Sequence, residues 1–171
     1  MDYEPVLPVI SILSPNPDQL GKPLKKLRKK WPDLRMTAPP YPFVETDYYV
    51  DEFGPRLYRW WGYRHILADP SKLVDWKLFS SAVEEESLDD AGNRAINIDP
   101  GYLNFSLLVL ASFKHNRQKI YLGKRVYADP VLRYFRGGFQ PFDWTFPDFR
   151  KDKYYRRLQH FREIYRKMRK N

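Results

Sequence analysis

Apolar positions along the chain recur at two spacings, and the spacing changes from segment to segment. The run VLPVISILS alternates and is rich in β-branched residues, which predicts a strand over Leu7–Leu13. Steps of four and three then take over. Leu20, Leu24, Leu27 and Trp31 mark one face of a helix whose other faces carry lysine and arginine. Asn16 and Pro17 suit its start, as cap and first helical residue. Pro23 lacks an N–H, so it predicts either a kink or a start near Lys22. The stretch LRMTAPPYPF is broken by prolines and reads as an extended edge segment. Arg56–Ile66 is aromatic and alternating enough for a second strand. Leu73, Trp76, Phe79 and Val83 predict a helix over Lys72–Glu86.

Beyond the acidic loop SLDDAGN, RAINI predicts a short strand. Asp99 then suits an N-cap and Pro100 a first helical position. The residues from Tyr102 to Lys114 would form a helix, apolar nearly all round and so largely buried. QKIYLG and RVYADPVLRYF predict strands, the second held to an edge or a bulge by Pro130. The two glycines of RGGF predict a tight hairpin, because such turns need positive φ. TFPDFR reads as a loop. A last helix over Lys153–Met168 carries an inward stripe of Tyr154, Leu158, Phe161, Tyr165 and Met168. The pattern predicts one α+β domain over residues 1–171: a mixed β-sheet, helices mostly on one face, and a basic C-terminal helix.

Composition narrows the function classes. A hydrophobic fraction of 43% with five Trp, 13 Tyr and 11 Phe is too costly to leave in water and argues against disorder. The absence of cysteine excludes a disulfide framework, thiolate metal sites and a cysteine nucleophile. The longest uncharged stretch, Pro100–Phe113, falls well short of the roughly 20 residues of a membrane helix, and the acidic N-terminus is unlike a signal peptide. A cytoplasmic protein with no membrane partner is therefore expected. Charge adds a direction. Lys151–Asn171 holds nine basic residues against two acids, so +7 of the net +9 belongs to the last helix and its approach. On that helix Arg156, Arg157, Arg162, Arg166, Lys167 and Arg169 can neutralise phosphates, which predicts a nucleic-acid or nucleotide-phosphate partner. A solvated helix face is the plainer alternative.

Candidate chemistry is sparse. P-loop, dinucleotide and nucleophile-elbow glycine patterns are all missing, and His65, His115 and His160 are scattered, so no metal and no cofactor are expected. Three loops stand out. ETDYY offers Asp47 as a base or ligand, with Tyr48 and Tyr49 to stack on a substrate. NIDPGYL places Asp99 and Tyr102 at a strand end, where the Asp carboxylate competes with any phosphate for the helix N–H groups. YLGKRVYADP and FDWTFPDFR contribute Lys124, Asp143, Trp144 and Asp148. If these loops meet, they form a pocket with both signs of charge and aromatic walls, as small-molecule sites have. The alternative function is thus a small-molecule enzyme or ligand-binding protein. Its catalytic candidates are Asp47, Asp99, Tyr102 and Asp148; its ligand pocket would include Tyr48, Tyr49, Lys124 and Trp144.

Taken in order, PFVETDYY, NIDPGYL, IYLGKRVYA and LRYFRGGFQPFDWTFPDFR resemble a prokaryotic family, domain of unknown function family 4416, over nearly the whole chain. Val44 and Glu45 replace an acid–aromatic pair of that family, and Arg125 stands where glycine is usual. Phe146 and Phe149 occupy positions often held by tyrosine, so a phenol hydroxyl is dispensable there. The resemblance implies a single-domain extent and carries no activity with it.

Overall fold

The computed structural model describes residues 3–88 and 92–170. Its strands are β1 (Leu7–Ser14), β2 (Leu34–Pro42), β3 (Tyr58–Arg64), β4 (Asn97–Leu103), β5 (Leu107–Ser112), β6 (Ile120–Gly123), β7 (Val126–Phe135) and β8 (Gly138–Pro141). Its helices are α1 (Gly21–Lys30), α2 (Val50–Phe53), α3 (Leu73–Glu85), α4 (Pro147–Arg150) and α5 (Tyr155–Met168). All eight strands join one sheet in the order β2-β3-β1-β4-β5-β7-β6, with β8 also on β7.

The α+β class is as expected, with two refinements. Every strand pairing is antiparallel, so the sheet is not mixed. Helices also cover both faces. On one, Leu27 of α1 and Leu73 and Trp76 of α3 pack with Ile10, Ile12 and Ile98. On the other, Leu158, Phe161 and Tyr165 of α5 pack with Leu7, Val9 and Trp61. This double cover explains why all eight residues of β1 are buried, serines included. A half-covered strand would alternate between core and solvent.

The helix predicted over Tyr102–Lys114 is instead a hairpin of β4 and β5, and Asp99 and Pro100 lie inside β4. A short apolar run buried on both sides has no period to distinguish strand from helix. The local chemistry favours the turn: the amides of Ser106 and Leu107 donate to Asn104 Oδ1 at 2.9 and 2.8 Å. Gly101 lets the strands meet, since a Cβ there would overlap the Val109 carbonyl oxygen and come within 2.6 Å of Leu110 Cδ2.

Other expectations hold more closely. Pro130 sits at a register shift, where Leu108 faces Leu132 but Val109 faces Pro130. On β7's outer edge, β6 pairs as far as Ala128 and β8 begins at Leu132, so no ladder bond is asked of this proline there. The RGGF turn joins β7 to β8 with Arg136 and Gly137 at φ 49° and 87°. TFPDFR contains the single turn α4. Prolines 39, 40 and 42 lie in β2, at the opposite edge of the sheet from β6.

Candidate functional site

The central hairpin does not stay paired along its length. β4 and β5 are joined only from Gly101–Leu103 to Leu108–Leu110, although β4 begins at Asn97 and β5 runs on to Ser112. Where they part, Ile98 loses a strand partner for its backbone groups, and buried groups of that kind need another. Two side chains of α3 supply it. Lys77 Nζ donates to the Ile98 carbonyl at 3.0 Å, and the Ile98 amide donates to Glu84 Oε1. Seven residues are two helical turns, so Lys77 and Glu84 share one face of α3 and enter the gap together.

A cleft of about 380 Å³ opens at this divergence. Lys77, Glu84, Asn97 and Asp99 lie on one side, and Leu110, Ser112 and Asp129 of the neighbouring strands on another. Arg59 of β3 also reaches it, and Tyr48, Tyr49, Phe146 and Phe149 supply aromatic walls. The segment from Phe113 to Asn116, with Lys119, completes the lining.

The charges form a connected network. Asp99 receives Lys77 Nζ at 3.0 Å on one oxygen and Asn97 Nδ2 at 2.7 Å on the other. Arg94 donates to Asn97 Oδ1 at 3.0 Å and pairs with Glu84 at 3.1 Å and Glu52 at 2.6 Å. Arg59 pairs with Asp148 at 2.9 Å, donates to Ser11 Oγ and to the Tyr154 hydroxyl, and stacks 4.9 Å from the Phe149 ring centre. Tyr154 in turn donates to Asp148 at 2.9 Å. Lys77 is 5% exposed, whereas 24% of the Asp99 side chain remains open.

Burial pulls Asp99 upward, but the Lys77 ammonium, Arg59 and the Asn97 amide outweigh it and hold the carboxyl below its ordinary range. Glu84 goes the other way. Its burial, reinforced by the charge of Asp99, exceeds the help from Lys77, the Ile98 amide and Arg94. Burial, with Asp99 nearby, raises the Tyr49 phenol well above its ordinary value, so this group stays protonated. The result is two carboxyls in one cleft with affinities for protons driven apart.

Only part of the anticipated constellation converges here. Asp99, Tyr48 and Tyr49 line the cleft. Asp148 is fully buried behind it and acts on it through Arg59. Tyr102 packs on the opposite side with the α1 and α3 cluster, because in a strand residues three apart point to opposite faces. Asp47 is exposed outside the lining, its carbonyl accepting from the Val50 amide. Lys124 borders a different depression, with Leu78 and Ser81 of α3. Trp144 stacks on Phe142 at 4.7 Å and donates to the Pro130 carbonyl at 2.9 Å; Asp143 is exposed. Neither lines the cleft.

The sequence reading passed over Arg59, Lys77, Glu84 and Arg94. A signal existed for three of them. Lys77 and Glu84 directly follow Trp76 and Val83 of the apolar stripe, and Arg59 shares its strand face with buried Trp61. Charges at such positions are rare unless paired.

The basic helix divides. Arg162 lies 3.6 Å over the Tyr134 ring and donates to the Phe105 carbonyl; Arg157 covers Tyr41 and donates to the Ala38 carbonyl. Arg169 packs on Phe105. Of the six candidate phosphate-binding residues, Arg156, Arg166 and Lys167 are exposed. The exposed cations of α1 (Lys22, Lys25, Arg28, Lys29 and Lys30) belong to the helix covering the other face of the sheet.

Fold and site together define a single-domain α+β protein with an antiparallel sheet covered on both faces and a charged, aromatic-walled cleft where its central strands part. The chain belongs to the family described as Domain of unknown function (DUF4416), which matches residues 4–165. No match was found among curated proteins or among solved structures. No helix among the described residues is long and apolar enough to cross a membrane, and none of their acidic and histidine side chains form a metal-binding group.

Proposed function

We propose that the protein binds a small polar organic molecule in the cleft between β4 and β5. One observation carries this reading: side chains from separate elements, Arg59, Lys77, Asn97, Asp99, Ser112 and Asp129, converge on one aromatic-walled cavity. A carboxylate has about four acceptor positions, and Asp99 uses two within the protein, leaving acceptors for a ligand hydroxyl or amine. Set against this, half of the cations that suggested a nucleic acid are engaged with rings and carbonyls of their own fold.

Native mass spectrometry of the purified chain, followed by thermal-shift screening with small polar metabolites, tests the proposal. Some compound should raise the unfolding midpoint of the wild type and raise that of Asp99→Asn much less. A hundredfold excess of ligand over Kd corresponds to about 2.7 kcal/mol of stabilisation, well within reach of the method. If no compound stabilises the wild type, or Asp99→Asn responds equally, the cleft is not the site.

A further inference from the structure

The cations of the cleft are not matched alike. At its inner end Arg59, Lys77 and Arg94 each meet a carboxylate within 3.1 Å. The connection from β5 to β6 differs. Its residues Lys114, His115, Asn116 and Lys119 line the cleft beside Ser112 at the end of β5, and their two ammonium groups meet one acid, Asp129 of β7, 3.2 Å from Lys119. Lys114 contacts the Tyr48 hydroxyl and lies 4.3 Å over the Tyr48 ring, and among the described residues it has no carboxylate partner.

Donors remain there as well. An ammonium carries three. Lys119 spends two, on Asp129 and on Ser112 Oγ at 3.0 Å, while Lys114 spends one on Tyr48. Partial desolvation and the neighbouring charge of Lys119 both lower the Lys114 pKa. An anion seated between the two lysines offsets both effects with its opposite charge and accepts the spare hydrogen bonds.

Resting on the cleft as a small-molecule site, we infer that its ligand is an organic anion whose phosphate or carboxylate group is held by Lys114 and Lys119, with a donor group directed at Asp99. The class of ligand is thereby a phosphate ester or carboxylic acid that also bears hydroxyl or amino groups. Ligand orientation follows from charge: the anionic end is repelled by Asp99 and Glu84 and drawn to the lysines.

Inorganic phosphate and acetate serve as probes on the full chain, titrated at equal ionic strength against chloride and read as shifts of the unfolding midpoint. The expected result is a saturable rise above chloride with one or both anions. Phosphate alone marks a phosphate ester and acetate alone a carboxylate. Lys114 is exposed, so Lys114→Ala should fold normally and bind the anion about tenfold more weakly, as loss of a charge-assisted hydrogen bond implies. Lys114→Arg should keep the response. The inference is overturned if neither anion exceeds chloride or if Lys114→Ala responds like the wild type. Should uncharged polar compounds nevertheless stabilise the protein through Asp99, this inference alone fails and the cleft reading stands.

Discussion

Lys77 and Asp99 illustrate how a charge pair becomes tolerable in the middle of a sheet. Lys77 could not sit 5% exposed on the core face of a helix without anionic and carbonyl partners, and it finds both on β4. Removing one partner leaves the other stranded, so Lys77→Met should destabilise by about 2–3 kcal/mol, discounted from a fully buried pair because Asp99 remains partly open. The pH dependence has a definite sign. The Asp99 carboxyl is held below its ordinary range, so its contribution to stability is complete above roughly pH 4 and drains away as the pH falls through its lower folded value. Glu84, shifted upward, works the other way, favouring the fold more as the pH falls from its raised value toward the ordinary one. Urea unfolding of wild type and Asp99→Asn between pH 7 and pH 3 checks this. The gap in stability between them should close toward acid, and a constant gap would contradict the assignment.

At the scale of elements, α5 engages part of its basic charge within its own fold. Its apolar stripe, Leu158, Phe161 and Tyr165, is fully buried, as its four- and three-residue spacing implies. The arginines flanking that stripe fold back along it: Arg162 caps the Tyr134 ring on β7, and Arg157 covers Tyr41 on β2. Such long side chains bury their stems and stack their guanidinium groups. Arg162→Ala should therefore lower stability by about 1–2 kcal/mol in chemical denaturation, against less than about 0.5 kcal/mol for exposed Arg166→Ala. Equal effects would place Arg162 among the free surface cations after all.

Across the whole molecule, the exposed cations of α1 and α5 belong to helices that cover opposite faces of the sheet. With Arg156, Arg166 and Lys167 as the exposed members of the six, any RNA affinity should fall with salt at a log–log slope of about −2; six contacts would give about −4. A fluorescence-anisotropy titration over salt distinguishes the two, and the steeper slope would restore the helix as a nucleic-acid surface. Much of the architecture at this scale is legible in the residues themselves. Where one side of an element is buried, spacing reports it, as in α3 and α5, and turn chemistry marks the RGGF hairpin; β1, buried on both sides, is legible from its β-branched residues instead. Periodicity vanished where both sides are buried, which is why β4–β5 read as a helix from Tyr102 onward. The site was legible in fragments. Tyr48, Tyr49 and Asp99 are polar or aromatic groups in distinctive short motifs, whereas Arg59, Lys77 and Glu84 sit inside regular elements whose apolar neighbours masked them. The sequence by itself determined which residues want a core, where the chain turns, and that charge gathers on the last helix. Only the tertiary structure decided where two central strands stop pairing. That divergence depends on strands distant in the chain and on two α3 side chains that replace a missing neighbour, and no local spacing encodes it.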